Sequence, residues 1–276
     1  MQNVKRFWRK FSRNKGAVVS LFICLLYFLV AIFANVIAPY DYDGQNLLAR
    51  LKPPSAEHWF GTDDFGRDVL SRVIVGAKVS VMIGFCSVAI AMLFGVPIGL
   101  IAGYNRRWDS VLMRLMDILL AFPGILLSMA VIAALGPSTF NVTLAVATFS
   151  IPTFARIVRS NVLGVKENEF IDAAKSYGLS NWKIVSKHIL PNVMASIIVL
   201  GTMRFASGIL TASSLSFLGL GVQPPTPDWG AMIDAGRYYM RVNWWLVAFP
   251  SAALFLLTMA VNVVGDGLRD ALDPKM

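Results

Sequence analysis

Glu169-Phe-Ile-Asp-Ala-Ala-Lys-Ser-Tyr-Gly178, continued by Leu179-Ser-Asn-Trp-Lys-Ile-Val-Ser-Lys-His-Ile-Leu-Pro191, is a water-compatible stretch set between two long apolar runs of a 276-residue chain. Phe170, Ala173, Ala174 and Tyr177 stand at i, i+3, i+4 and i+7, which predicts one shared helical face. Two alanines on that face let another backbone come close. Glu167 and Glu169 in the first turn and Lys175 in the last suit the helix dipole. Gly178 supplies the left-handed residue that ends such a helix, and Ser180 a cap for the next one. Pro191 is expected to close the second helix before a new apolar run begins. A helix-turn-helix of this spacing between two membrane spans is expected to be a docking element.

The apolar runs around it set the class. The chain is 56% hydrophobic and 15% charged, with a mean hydropathy of +0.62, outside the range of soluble globular domains. Gly16 to Tyr40 and Val79 to Asn105 carry no charge. Ile118 to Ala155 is also charge-free but too long for one span, and Gly136-Pro-Ser-Thr139 divides it into two. Asn192 to Leu215 is apolar except for Arg204, and Val242 to Gly265 is the last run. Each of these six candidates is near the ~20 residues a helix needs to cross ~30 Å of hydrocarbon. Lipid leaves the backbone no partner but itself, so the expectation is an all-α membrane protein with six transmembrane helices. The apolar part of the first run exceeds a signal peptide's, and no small-x-small cleavage site precedes a soluble domain, so a retained anchor is expected.

Seventeen of the 25 lysines and arginines fall in the N-terminal flank and in 106–114, 156–187 and 269–275. Seven fall in 50–78 and 237–241, and Arg204 alone lies in a span. The asymmetry predicts that both termini and the Asp172 segment are cytoplasmic. It also accounts for the net charge of +9 without nucleic acid, for which no stacking-plus-basic module is visible. Three parts are expected. Residues 1–78 hold the N-terminal tail, the first span and an external segment. Residues 79–266 form a five-helix core with the docking loop at 160–191, and residues 267–276 a cytoplasmic tail. In the external segment, Val69, Val73 and Ala77 recur at i, i+4 and i+8, which predicts a short amphipathic helix on the membrane surface. Cys24 and Cys86 fall inside spans and act as small apolar groups.

Asp172-Ala-Ala, three residues, Gly178, then His188, Leu190 and Pro191 resemble the coupling loop of ABC importer permeases, written E-A-A-x3-G-x9-I-x-L-P. Asp172 replaces the Glu and His188 the Ile. Three further stretches extend the likeness to the dipeptide, oligopeptide and nickel branch: Gly61-Thr-Asp-x-x-Gly-Arg-Asp68, Met113-Arg-Leu-Met-Asp117 with Ala121-Phe-Pro123, and Gly265-Asp-Gly-Leu-Arg-Asp-Ala-Leu-Asp-Pro274. Ser216-Phe-Leu-Gly-Leu-Gly-Val-Gln-Pro-Pro-Thr-Pro-Asp-Trp-Gly230 is a fourth. The likeness runs from the first span to Pro274 and is to the second permease subunit, as in dipeptide and glutathione importers. It implies a type I importer fold in a bacterial inner membrane. Its implied partners are a homologous permease in a heterodimer, two cytoplasmic ATP-binding subunits and an external substrate-binding protein. It further implies that Asp172, Ala173, Ala174 and Gly178 seat on the ATPase, with Trp182, Lys183, His188, Leu190 and Pro191 joining that element to the fifth span. The implied cargo is short peptides, with nickel or a metal chelate as the alternative.

Other residues fit the same frame. Arg204 is a candidate pathway or gate residue, because a charge in a span costs ~2.5–3.5 kcal/mol even on the lenient insertion scale; the plainer reading is an ion pair, with Asp117 as one partner. Asp117 is alternatively expected to pair with Arg114 near the membrane interface. Pro97, Pro123, Pro152 and Pro250 are expected to interrupt helices. Trp108, Tyr238, Tyr239, Trp244 and Trp245 read as an interfacial belt. His58 and His188 are the only histidines and are expected on opposite sides of the membrane, so they cannot share a metal. No His-Glu-x-x-His, Ser-His pairing or paired intramembrane carboxylates occur, and no Gly-x4-Gly-Lys-Ser/Thr phosphate loop. No catalytic residue, metal site or cofactor is therefore expected. A stand-alone ion-coupled carrier would show more ionisable groups at mid-span and repeated, broken helices, and a membrane-bound enzyme would need converging reactive groups.

Overall fold

A computed structural model describes residues 2–272, with side chains from Phe7 onward. The helices are α1 (Gln2–Phe11), α2 (Lys15–Ile37), α3 (Val69–Tyr104), α4 (Arg106–Leu120), α5 (Gly124–Leu135), α6 (Thr139–Lys166), α7 (Glu169–Ser176), α8 (Asn181–Ile184), α9 (Leu190–Phe217), α10 (Trp229–Arg237) and α11 (Trp245–Leu272). Among the described residues no strand forms, and an isolated bridge joins Thr62 and Asp68.

Five helices are long and apolar enough to cross a membrane: α2, α3, α6, the run Asn181–Phe217, and α11. The sixth expected span is not one straight helix. α4 and α5 are bent by 88° where they meet, at Ala121-Phe-Pro123. Proline disfavours a helical conformation for the residue before it, and Pro123 stands just ahead of α5 with extended ψ. Alone, the 12 residues of α5 rise only ~18 Å. At its other end, Gly136 takes φ +83° and Ser138 caps α6 by accepting from Asn141 N at 3.1 Å.

Residues 68–78 do not lie on the membrane surface as a separate helix. They form the first turns of α3, and Val69, Val73 and Ala77 are buried. That apolar face meets protein. Trp229 of α10 is fully buried there, and its indole Nε1 donates to Val73 O at 3.0 Å. A Cβ on Gly76 would stand 2.9 Å from the same indole. The division expected at 78/79 thus falls inside a helix.

The long contact between α3 and α6 has a simple origin. Gly95, Gly99 and Gly103 recur every fourth residue on α3. A Cβ on them would come within 2.6 Å of Phe154 Cβ, 2.6 Å of Ala155 O and 2.7 Å of Val162 Cβ of α6. Small residues at this spacing let two helices approach closely where the hydrophobic effect cannot drive them together. Pro97, Pro152 and Pro250 interrupt nothing; each sits inside a continuous helix.

The connection from α2 to α3 is folded by polar contacts. Asp68 caps α3 by accepting from Ser71 N at 2.8 Å and lies 2.9 Å from His58 Nδ1. Asp63 takes Arg67 Nε at 2.8 Å, with Arg72 Nε at 3.5 Å. Trp245, expected in the interfacial belt, is instead buried, and its Nε1 donates to Thr62 O. From this end α3 rises ~54 Å over its length, and the helix that carries His188 starts at its far terminus, where Tyr104 bonds Asn181, so the two histidines are at opposite ends of the bundle. At the C-terminus, the expected tail from 267 continues α11 as far as Leu272. Asp273, Pro274 and Lys275 lie outside the described residues.

Candidate functional site

α7 and α8 form a helical hairpin at the end of the bundle where α3 stops. Its inward face is apolar. Ile171 and Ile184 are fully buried and Ala174 is 5% exposed, packed with Val162, Ile189 and Val193 of the bundle. Its outward face carries Phe170 at 44%, Tyr177 at 88% and Trp182 at 77% exposure, with Ala173 between them. The four-residue face expected from the sequence is therefore split. Phe170, Ala173 and Tyr177 point outward at i, i+3 and i+7, whereas Ala174 turns inward beside Ile171. A 100° step per residue puts Ala174 at the edge of the stripe, and the fully buried Ile171 three residues earlier decides which side it joins.

Gly178 ends α7 with φ +73°. Its N–H donates to Lys175 O at 2.9 Å, and Leu179 N reaches Ala174 O at 3.2 Å, closing the orphan carbonyls of the last turn. A Cβ there would meet nothing within 4 Å, so the demand for glycine comes from the backbone alone. Ser180 occupies the position before α8 but makes no capping bond. Asp172 and Lys175, both exposed, pair at 2.8 Å, and that bond holds the lysine above its ordinary pKa. Trp182 and Lys183 lie on exposed positions of α8.

Pro191 does not close the second helix. α8 runs through a π-turn at Val185–Ile189 straight into α9, with Leu190 N donating to Val185 O, five residues back. The wider turn accommodates a proline at the second residue of α9. Asn192 Nδ2 donates to the carbonyl of His188 at 2.6 Å, answering an acceptor near the break. His188 and Leu190 are half-buried and Pro191 is exposed. The second helix of the hairpin and α9 are thus one continuous helix, a stiffer joint than a turn would be.

Tyr104 ties the hairpin to the bundle and Lys166 braces Tyr104; neither role is expected from the sequence. Tyr104 Oη lies 2.7 Å from Asn181 Oδ1, and Lys166 Nζ donates to Tyr104 O at 2.7 Å. These partners are 77 and 62 positions apart, so no local pattern announces them. Beside them α4 is clamped to α6. Arg159 Nη2 donates to Asp109 at 2.6 Å and Arg156 Nη2 to Asp117 at 2.6 Å. Asp117 therefore pairs with Arg156, not with Arg114 or Arg204. Arg204 makes no ion pair among the described residues. It is half-buried on α9, with Ser207, Thr211 and Ser214 following at i+3, i+7 and i+10. Their hydroxyls donate to carbonyls of their own helix, which leaves a polar stripe along an apolar span. Among the described residues no three His, Cys, Asp or Glu side chains converge as a metal set would. The hairpin offers a shaped, stiffly mounted surface.

Residues 95–276 match the family described as binding-protein-dependent transport system inner membrane component, and residues 3–54 match the N-terminal transmembrane domain of oligopeptide transport permease C. The chain is 48% identical over 270 residues to the dipeptide transport system permease protein DppC of Alkalihalophilus pseudofirmus, covering 98% of this chain and 89% of that one. It is 47% identical over 274 residues to the glutathione transport system permease protein GsiD of Pectobacterium atrosepticum, covering 99% and 91%. The GsiD of Shigella dysenteriae is 50% identical over 275 residues, covering 98% and 90%. In fold it is similar to a chain of the inward-facing MetNI methionine ABC transporter, with a TM-score of 0.60 at 16% identity over 73% of this chain and 97% of that one. A second form of that transporter gives 0.61 at 17% identity, over 74% and 98%. The all-helical architecture is thus the type I importer fold, and the chain belongs to the binding-protein-dependent transport system inner membrane components, as a multi-pass ABC transporter permease.

Proposed function

We propose that this chain forms half of a membrane pathway for short peptides and is driven by an ATPase that seats on α7 and α8. The observation that carries the reading is the outward face of Phe170, Ala173, Tyr177 and Trp182. Exposed aromatics flank a small residue there, on a hairpin anchored by the buried Ile171, Ala174 and Ile184. Aromatic side chains around a site of close approach are what a groove on a partner takes up. Asp172, Gly178 and Lys183 complete the seat. Through the π-turn that holds His188, and on through Leu190 and Pro191, movement of the hairpin passes to α9 as a rigid lever.

The other half of the pathway is a homologous permease. The stripe of Arg204, Ser207, Thr211 and Ser214 faces it, with Arg204 lining the route or its gate. Two ATP-binding subunits and an external substrate-binding protein complete the importer, and the permease itself does no chemistry. The basic asymmetry of the sequence supports cytoplasmic termini. The likeness to dipeptide and glutathione permeases favours peptides over nickel as cargo. Uptake of labelled dipeptide, glutathione and nickel in a strain lacking this chain tests the substrate. Peptide uptake is expected to vanish with nickel uptake intact, and the reverse outcome would overturn the assignment. Copurification tests the assembly: an ATPase and a second, homologous permease are expected, and a homodimer without either rejects it.

A further inference from the structure

We propose that α1 and the turn after it bind anionic phospholipid headgroups of the leaflet that α2 enters at Lys15. The first 15 residues hold six lysines and arginines and no acidic residue. Basic residues packed this densely beside a span are what an anionic lipid surface attracts. The side chains of Arg9, Arg13 and Lys15 are exposed, and none makes an ion pair with Asp266 or Asp270 on the neighbouring helix α11.

The opposite face of α1 fixes its depth. Phe11 is 2% exposed and packs with Phe7 against Ala17, Leu268 and Ala271. Ala17 in turn is seated on Gly267, whose Cβ would stand 2.5 Å from its own. α1 is therefore held beside the first turn of a span, at the level where lipid phosphates lie. Trp8, 53% exposed, stands next to Arg9, and an indole beside cationic side chains is the composition of a membrane interface.

A place for acyl chains lies below. Leu21, which packs beneath the Phe7–Phe11 cluster, also lines a groove of about 420 Å³ with Cys24, Phe28, Val88, Met92 and Phe205. The groove begins ~9 Å down α2 from Lys15, six residues of helix. Its lining is almost wholly apolar. A headgroup at Arg9, Arg13 and Lys15 with a chain in this groove uses both features. A soluble anion would use only the first.

The test reconstitutes the assembled transporter in nanodiscs of equal parts phosphatidylglycerol and phosphatidylcholine. It is then extracted, and the retained lipid is measured by mass spectrometry. Phosphatidylglycerol is expected to be enriched, and the enrichment to fall as salt is raised. Each lost charge is expected to lower it roughly fivefold, from ~1 kcal/mol per basic residue at an anionic surface. R9Q/R13Q should therefore abolish most of it, whereas R9K/R13K, which keeps the charge, should retain it. Equal enrichment in R9Q/R13Q, none in the unaltered chain, or no dependence on salt would each overturn the proposal. If R9Q/R13Q does not assemble, R9K/R13K and the salt dependence still decide. Both leaflets of a nanodisc are alike, so the result does not depend on topology or on which substrate is carried.

Discussion

Tyr104 and Asn181 meet at 2.7 Å across 77 positions of sequence, the phenol of the last residue of α3 against the amide oxygen of the first residue of α8. Lys166 adds the end of α6 by donating to the Tyr104 carbonyl, and its ammonium also stands 5.3 Å from the Tyr104 ring centre. Three helix ends thus converge on one side chain beside the hairpin. Asn181 begins the continuous helix that becomes α9, so α8 is joined to α3 by this bond and to α9 by the chain itself.

Replacing Tyr104 by Phe keeps the ring and removes the hydroxyl. An exposed hydrogen bond is worth ~0.5–1.5 kcal/mol net, so assembly and membrane insertion are expected to be unchanged. Transport driven by ATP should fall while the ATPase activity of the assembled complex persists. The ratio of substrate moved to ATP hydrolysed measures this. An unchanged ratio would remove Tyr104 from the coupling route.

Gly178 separates backbone strain from contact. A side chain there has room on every side, but φ is +73°. A left-handed conformation costs an ordinary L-residue ~1–2 kcal/mol, and asparagine tolerates it best. Gly178→Val should therefore disorder the hairpin and loosen the ATPase without touching a span, and Gly178→Asn should retain most of the transport. Equal activity in both variants would show that the turn does not matter to docking.

Ala173 and Ala174 are adjacent and face opposite ways, so they make a paired test. Ala173→Arg adds a charged chain to the exposed face and is expected to abolish ATPase copurification while the permease remains folded in the membrane. Ala174→Arg forces a charge among Ile171, Ile184 and Ile189, so it should lower the yield of folded protein. Protease resistance of the isolated permease distinguishes the two. Loss of folding in the Ala173 variant alone would mean that the outward face has been misassigned.

Run length and hydropathy made the spans legible, because a helix that must cross lipid cannot hide its apolar length. The left-handed Gly178 was legible for a local reason, the need of α7 for a terminator. Three things were not. The inward turn of Ala174 depends on Ile171, which the stripe Phe170–Ala173–Ala174–Tyr177 leaves out. The passage through Pro191 depends on a π-turn, which no residue in Val185–Ile189 announces. The ion pairs Asp109–Arg159 and Asp117–Arg156 join residues 50 and 39 positions apart, so only the packing of α4 on α6 reveals them. Gly95, Gly99 and Gly103 are different. Their four-residue spacing in an apolar run was readable as a close-packing seam from sequence alone.

Asp228 offers a prediction in which pH fixes the sign. Its carboxylate is 1% exposed and caps α10, accepting from Gly230 N at 3.0 Å and Ala231 N at 3.3 Å. Burial raises its pKa, and bonds from Ser216 and the two amides offset part of the rise. A carboxyl with a folded pKa above its unfolded value of ~3.9 binds more proton in the native state between the two values. Its contribution to stability is then fully present below ~3.9 and is lost as pH rises through the folded value. Asn keeps the cap and never ionises. Measured by thermal unfolding in detergent, the unaltered chain should gain stability relative to Asp228→Asn as pH is lowered from neutrality toward 4. Asp228→Ala loses the cap as well and should be weaker than Asp228→Asn at every pH, by ~0.5–2 kcal/mol. If the unaltered chain instead gains on Asp228→Asn as pH rises, the bonds to the carboxylate outweigh its burial and the assigned direction is wrong.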